Sequence, residues 1–267
     1  MWATLALSAA VSLAPAQAGG LELKNARFTQ GVLGAARADS KFLAGDLAVL
    51  SFDAVGLQAT GRNRVRYAVG IELSRKGADK PEYTRAPEDR EAVTALGGTR
   101  LPLHAVANIG TDTSPGAYVM KVTLIDRVGK AKATVERAFE VLPARLGFVR
   151  VGLSYNAEQP APPVAVPGQT LFLNFSVVGF ARDKKTGQPD LALQLRVLDA
   201  KGKPTTARPF GGEVRKVKEG FEQFIPFDPI AFQTHRSGQF RIVRKVTDNL
   251  TKKTAEHALN LTVLASK

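Results

Sequence analysis

The reactive inventory of this 267-residue chain is three histidines, a scatter of carboxylates and a surplus of cations, with no cysteine. Without a thiol, disulfides, Cys-ligated zinc, iron–sulfur clusters and thiolate nucleophiles are excluded. His104 lies in RLPLHAVAN, out of register with Leu101, Leu103 and Ala105, so it is expected to face solvent. His235 sits in the turn-like QTHRSG, and His257 falls on a core-facing position. No pair has the spacing that places two metal ligands on one element. Ser237 neighbours His235, but the Gly-x-Ser-x-Gly elbow that presents a serine nucleophile is missing. Glu88, Asp89 and Glu91 form the densest acidic group. Interleaved with Arg85 and Arg90, they read as a solvated, charge-balanced loop whose spacing does not fit a calcium site. Neither a P-loop nor a dinucleotide fingerprint occurs. The sequence therefore implies no catalytic residue, no metal and no cofactor.

The cations say more. Lys and Arg number 37 against 24 Asp and Glu, a net charge of +13. Residues 19–143 hold 18 basic and 14 acidic side chains, whereas 144–267 hold 19 and 10. Such a field draws anionic partners and weakens with salt. Arg62, Arg64 and Arg66 alternate, so they share one face of a strand. Arg215, Lys216 and Lys218 follow Gly211-Gly212. Both clusters are candidate contacts for an anionic polymer or surface. The competing reading is solubility and protection of sheet edges. Neither cluster has the interleaved aromatics on which single-stranded nucleic acid stacks, so no specific nucleic acid is expected. Arg244 stands apart, on a position expected to be buried, where a guanidinium needs a partner. It should meet a carboxylate or be turned outward by a bulge.

The elements that carry these residues repeat. GDLAVLSFDAVGL (residues 45–57) corresponds to GQTLFLNFSVVGF (168–180) at an offset of 123. GAYVMKVTLID (116–126) corresponds to GQFRIVRKVTD (238–248) at 122, and Phe139 and Val141 fall on Leu261 and Val263. Two blocks in one order at one spacing indicate internal duplication. The period within each block is two. Ala48, Leu50, Phe52 and Ala54 point one way, as do Val65, Tyr67, Val69, Ile71 and Leu73, and Tyr118, Met120, Val122 and Leu124. Leu171, Leu173, Phe175 and Val177, with Leu191, Leu193, Leu195 and Val197, repeat the pattern. One-sided burial of antiparallel strands produces it. Asp126 to Lys130 suits a hairpin with Gly129 at positive φ, and Pro87 to Ala95 suits a short helix. The fold class expected is all-β: two tandem immunoglobulin-like antiparallel β-sandwiches, 19–143 and 144–267. The short join, Leu142-Pro143-Ala144-Arg145-Leu146, is expected to restrict their mutual orientation.

Gly116-Ala117-Tyr118 running into Thr123-Leu124-Ile125-Asp126, and Gly238-Gln239-Phe240 running into Thr247-Asp248, resemble the penultimate strand of bacterial immunoglobulin-like and fibronectin-III-like modules. The chain as a whole is similar to exported proteins of planctomycete-type bacteria, a likeness that implies no activity. The Cys–Trp–Cys hallmark of antibody domains is missing.

Residues 1–18, MWATLALSAAVSLAPAQA, carry an uncharged apolar run ending in Ala-Gln-Ala, the pattern of a cleaved export signal. The run is too short to span a bilayer, and no later stretch is long and apolar enough. The function expected is a non-catalytic, exported binding or structural module of a bacterial envelope, with a protein or an anionic polymer as partner. The alternatives are an accessory domain of an envelope enzyme and a periplasmic chaperone that donates a strand to an exposed sheet edge.

Overall fold

The computed structural model describes residues 20–221 and 223–265, and its regular structure is β-strand with one short 3₁₀ turn at Gly61–Asn63. The signal-like segment 1–18 lies outside the described residues. The first half contributes β1 (Glu22–Thr29), β2 (Lys41–Phe42), β3 (Leu47–Val55), β4 (Ala59–Thr60), β5 (Arg64–Arg75), β6 (Tyr83–Val93), β7 (Arg100–Asn108), β8 (Gly116–Asp126) and β9 (Lys132–Val141). The second contributes β10 (Gly147–Ser154), β11 (Pro160–Ala161), β12 (Val164–Ala165), β13 (Thr170–Val178), β14 (Leu191–Asp199), β15 (Phe210–Val214), β16 (Phe224–Pro226), β17 (Ile230–Gln233), β18 (Gly238–Asp248) and β19 (Thr254–Val263).

Four sheets result, and each draws its strands from one half. β1, β3 and β7 form one sheet, and β2-β9-β8-β5-β4 with β6 on β5 forms another. β11-β10-β13-β16 with β17 on β13, and β12-β19-β18-β14-β15, are their counterparts. Alternation explains the packing. Every position it turns inward on β3, β5, β8, β13 and β14 is buried, except half-buried Val197. One apolar core gathers Phe28 to Val141 and a second gathers Leu146 to Val263. Val49 and Asp53, expected outside, are buried as well. Val49 lines a crevice against Val151, Gly152 and Leu153 of the second half, and Asp53 accepts a hydrogen bond from Asn25.

The backbone repeats at the same offsets as the side chains. β3 and β13 have bounds 123 residues apart, and β8 and β18, like β9 and β19, lie 122 apart. β1 breaks register against β3, and β10 against β13, at a bulge. The bulges hold Asn25 at φ 54° and Arg150 at φ 52°. Lys130 and Lys252, 122 apart, both sit at φ 60°. The positive φ of the first hairpin therefore falls on Lys130, not on Gly129 as expected: the Asp126 N–H bonds Ala131 O and closes a loop whose last residue is Lys130. Asp126 Oδ2 accepts the Gln58 N–H and its Oδ1 the Val128 N–H, each at 2.8 Å. Asp248 does the same for Ala181 and Leu250, each at 2.9 Å. Burial opposes charge on Asp248, yet these bonds and those from Thr251 hold its carboxyl below the usual range.

Where the halves meet, Arg150 bridges them. Its N–H bonds Asp46 Oδ1 at 2.8 Å, its Nε bonds Gly45 O at 3.0 Å, and its Nη2 reaches Asn108 Oδ1 at 3.1 Å. Its guanidinium also lies 4.5 Å over the Phe224 ring. Leu43, Val149 and Val178, with Leu142 and Phe224 against them, form a small apolar cluster across the join. Gly179 passes the join so closely that a Cβ there would lie 2.0 Å from Arg145 O.

The segment Pro87–Ala95 is not a helix. Most of it belongs to β6, paired along β5, and Glu88, Asp89 and Glu91 stand on that strand and not in a loop. Cross-strand charge pairing explains the difference. Glu91 faces Arg66 in register, and Asp89 meets Arg127 at 2.6 Å. Neither partner is near in sequence.

Candidate cationic interface

The structure separates the two predicted basic clusters. Arg64, half-buried, and Arg66, exposed, start β5, and both bind Glu91 of β6, Arg66 Nε at 3.0 Å from Oε2. That pairing holds Glu91 below the usual carboxylate range. Arg62 is exposed in the 3₁₀ turn at φ 68°. Arg215 lies 2.9 Å from Glu213 and 3.8 Å from Asp190. Lys216 and Lys218 are exposed and make no ion pair among the described residues. They follow β15, the edge strand beside β14, and so lengthen one margin of that sheet.

The outer face of the same sheet carries three further cations that form no cluster in the sequence. Arg196 on β14 and Arg241 and Lys245 on β18 are exposed. Their neighbours in register are Leu195 facing Arg244 and Val197 facing Ile242, which point inward; the three cations therefore share the opposite side. Gln194 faces Lys245 across β14, and Asn260 faces Arg241 across β19. The one acid directly opposite a member is Glu256, against Lys245, and no ion pair joins them. Spacing of two along strands already recognised was the signal for these residues. They are invisible as a run because apolar residues separate them.

The corresponding face of the first half is charge-paired. Lys121 on β8 is flanked by Glu72 on β5 and Glu136 on β9, and its Nζ lies 3.2 Å from Glu72. In the second half those three positions hold Val243, Arg196 and Ala258. Of eleven ion pairs among the described residues, nine join residues of the first half, and both in the second involve Arg215. The second half thus presents its positive excess largely uncompensated. Exposed ion pairs add little stability, about 0–1 kcal/mol each. Their distribution shapes the field that an approaching anion meets.

Arg244 resolves differently from both expectations. It is 0 % exposed, so no bulge turns it out, and no carboxylate among the described residues meets it. Its Nη2 lies 2.7 Å from His257 Nδ1, and its guanidinium sits 5.7 Å from the Phe148 ring centroid and 5.4 Å from that of Phe175. Ring faces attract a cation, and burial makes that attraction larger. Nε and Nη1 have no hydrogen-bond partner among the described residues. Burial pushes the guanidinium down to about 9, which leaves it charged at neutral pH. Burial and then the charges of Arg244 and Arg37 push His257 down to about 4, so the imidazole is neutral there. His104 is half-buried on β7, not free in solvent, and burial with Arg90 lowers it too. His235 is exposed. Among the described residues, no group of three His, Asp or Glu is placed to hold a metal ion.

No protein-family model matches this sequence, and no curated protein does. Among solved structures, the crystal structure of dimeric latent PorU from Porphyromonas gingivalis aligns with 97 % of this chain at 9 % identity and a TM-score of 0.40. This chain spans 22 % of that protein. A likeness so distant bears on neither family nor activity.

Proposed function

We propose that the chain is an exported, non-catalytic module of two immunoglobulin-like sandwiches, descended from one unit by duplication, whose second sandwich contacts an anionic polymer of the envelope through the outer face of the β12-β19-β18-β14-β15 sheet. Repeated bulges, turn residues and aspartate bonds support the duplication, since independent origin would have to reproduce each of them. In the first half the Tyr118 hydroxyl donates to Ser114 O at 2.9 Å, four residues upstream, a bond typical of immunoglobulin-like sandwiches. The observation that carries the binding reading is the loss of charge pairing on one face: Glu72, Lys121 and Glu136 in the first half against Arg196, Val243 and Ala258 in the second. A sheet face studded with cations suits an extended polyanion, with polar Gln194 and Asn260 able to bond it.

Retention of residues 19–267 on immobilised dextran sulfate tests this. The chain should bind at low ionic strength and elute as salt rises. The triple variant R196Q/R241Q/K245Q should elute at clearly lower salt, and R64Q/R66Q should elute with the parent. Passage of the parent unretained at low salt, or equal elution of the triple variant, would end the proposal.

A further inference from the structure

Segments 37–46 and 142–148 meet 253–257 around a cleft of ≈ 620 Å³. Arg37, Lys41, Arg145, Lys253 and His257 line it, with Asp39, Asp46 and Glu256 as the acids. Two of those acids are engaged. Asp46 takes Arg37 Nη1 at 3.1 Å and the N–H groups of Leu47 and Arg150. Asp39 accepts the Lys41 N–H at 3.2 Å. Glu256 is exposed on the strand beside Lys245. Of the cations, Arg37 is paired and the others are freer. Arg37 is held in place by Asp46, by Lys41 O and by the Phe42 ring 4.1 Å beneath it. Lys41 reaches Glu140 only at 3.8 Å, and Arg145 and Lys253 are exposed without an ion pair among the described residues.

Behind this wall lies the buried Arg244. His257 and Phe148 both line the cleft and both contact its guanidinium. Arginine has only donors, so His257 Nδ1 must accept, and the imidazole proton resides on Nε2. That Nε2–H makes no hydrogen bond among the described residues and is not among the buried unpaired atoms. A neutral ring is thus fixed in one tautomer by a cation that no carboxylate among the described residues balances, and its remaining donor is not sealed in the core. A full positive charge in the low-dielectric interior acts strongly on whatever enters next to that donor. The first half has nothing comparable: Val122 and Val135 fill the two positions.

We propose that this cleft is a site for an oxyanion, a phosphate or carboxylate group, which accepts from His257 Nε2–H and sits among Arg37, Arg145 and Lys253. Arg244 is then a positioning residue that sets the tautomer and supplies charge from behind without touching the ligand. The bound group would supply the counter-charge that the buried guanidinium lacks, so occupancy should stabilise the folded chain as well as fill the cleft.

The three imidazoles give a direct readout by proton–carbon NMR. Inorganic phosphate and acetate are titrated separately at constant ionic strength against chloride. His257 resonances should shift and saturate in at least one arm, while those of His104 and His235 stay in place, and the stronger arm identifies the group. The R145Q/K253Q variant, altered only at exposed side chains, should bind at least tenfold more weakly. R196Q/R241Q/K245Q should bind as the parent does, which separates this site from the outer sheet face. The proposal falls if His257 stays unmoved up to about 50 mM, beyond the range of a weak single-group site. It falls equally if chloride reproduces the shifts or if R145Q/K253Q leaves the affinity unchanged.

Discussion

Val122 on β8 and Arg244 on β18 stand 122 residues apart, both fully buried, and each faces the same position of the next strand. That position is Val135 in one half and His257 in the other. The aliphatic pair needs nothing further. The polar pair needs two aromatic rings, a fixed tautomer and two donors left without partners. The contrast shows that one sheet geometry tolerates opposite interiors, and that the second half gives up stability at a position where the first spends none. The surfaces diverge in the same direction, paired charges on β5, β8 and β9 against bare cations on β14 and β18.

The largest expected effect comes from breaking the polar pair. His257→Val alone strands the guanidinium, and leaving a buried charged donor without its partner costs about 3 kcal/mol. Adding Arg244→Leu imports the apolar solution of the first half and should recover most of that loss, since replacing a whole buried polar pair is often neutral or better. Urea unfolding of the single and double variants measures both. A double variant as unstable as the single one would show that the two halves are not interchangeable here.

Acid should act on the same pair. The imidazole titrates at 6.5 unfolded and at about 4 folded, so between those values the unfolded chain holds the extra proton. Stability is therefore complete above pH 6.5 and declines as pH falls through the window toward 4, by up to about 3 kcal/mol. His104 shifts in the same direction, so the control is the R244L/H257V chain, in which the decline should shrink to the part owed to His104. An unchanged decline in that chain would remove His257 from the account.

A smaller effect separates two turns of identical design. Asp46 and Gln169 occupy one turn, 123 residues apart, with bonds from Asp46 N–H to Leu43 O and from Gln169 N–H to Val166 O. Asp46 is buried at the junction and serves Arg37, Leu47 and Arg150, whereas Gln169 caps Val166 at the far end. Asp46→Ala should cost about 2 kcal/mol, the loss of hydrogen bonds to a charged group, and Gln169→Ala about 0.5 kcal/mol. Calorimetry checks both, and D46A should also separate the unfolding of the halves. Equal losses would mean that Asp46 does nothing across the join.

Much of the fold was legible because period-two alternation and a constant offset are local facts about the chain. Leu50, Ile71 and Met120 could be placed inward without knowing any neighbour. Apart from the hairpin's positive φ, which falls one residue along on Lys130, the failures required a partner far away in sequence. Pro87–Ala95 looked helical because Glu91 meets Arg64 and Arg66 only across strands. The interior positions of Arg244 and His257 were each readable. Their contact was not, since it depends on the hairpin register that puts residue 244 opposite 257. The same register would have revealed Arg196, Arg241 and Lys245 as one patch. Arg62, Arg64 and Arg66 were conspicuous in the sequence because they alternate within five residues, and Glu91 answers two of them.

Arg150 carries one more consequence. The residue that kinks the first strand of the second half at φ 52° is also the one that ties it to Gly45, Asp46 and Asn108. The bend in that strand and the seating of the two halves are therefore coupled: a substitution that relaxes the φ also withdraws the N–H that Asp46 accepts.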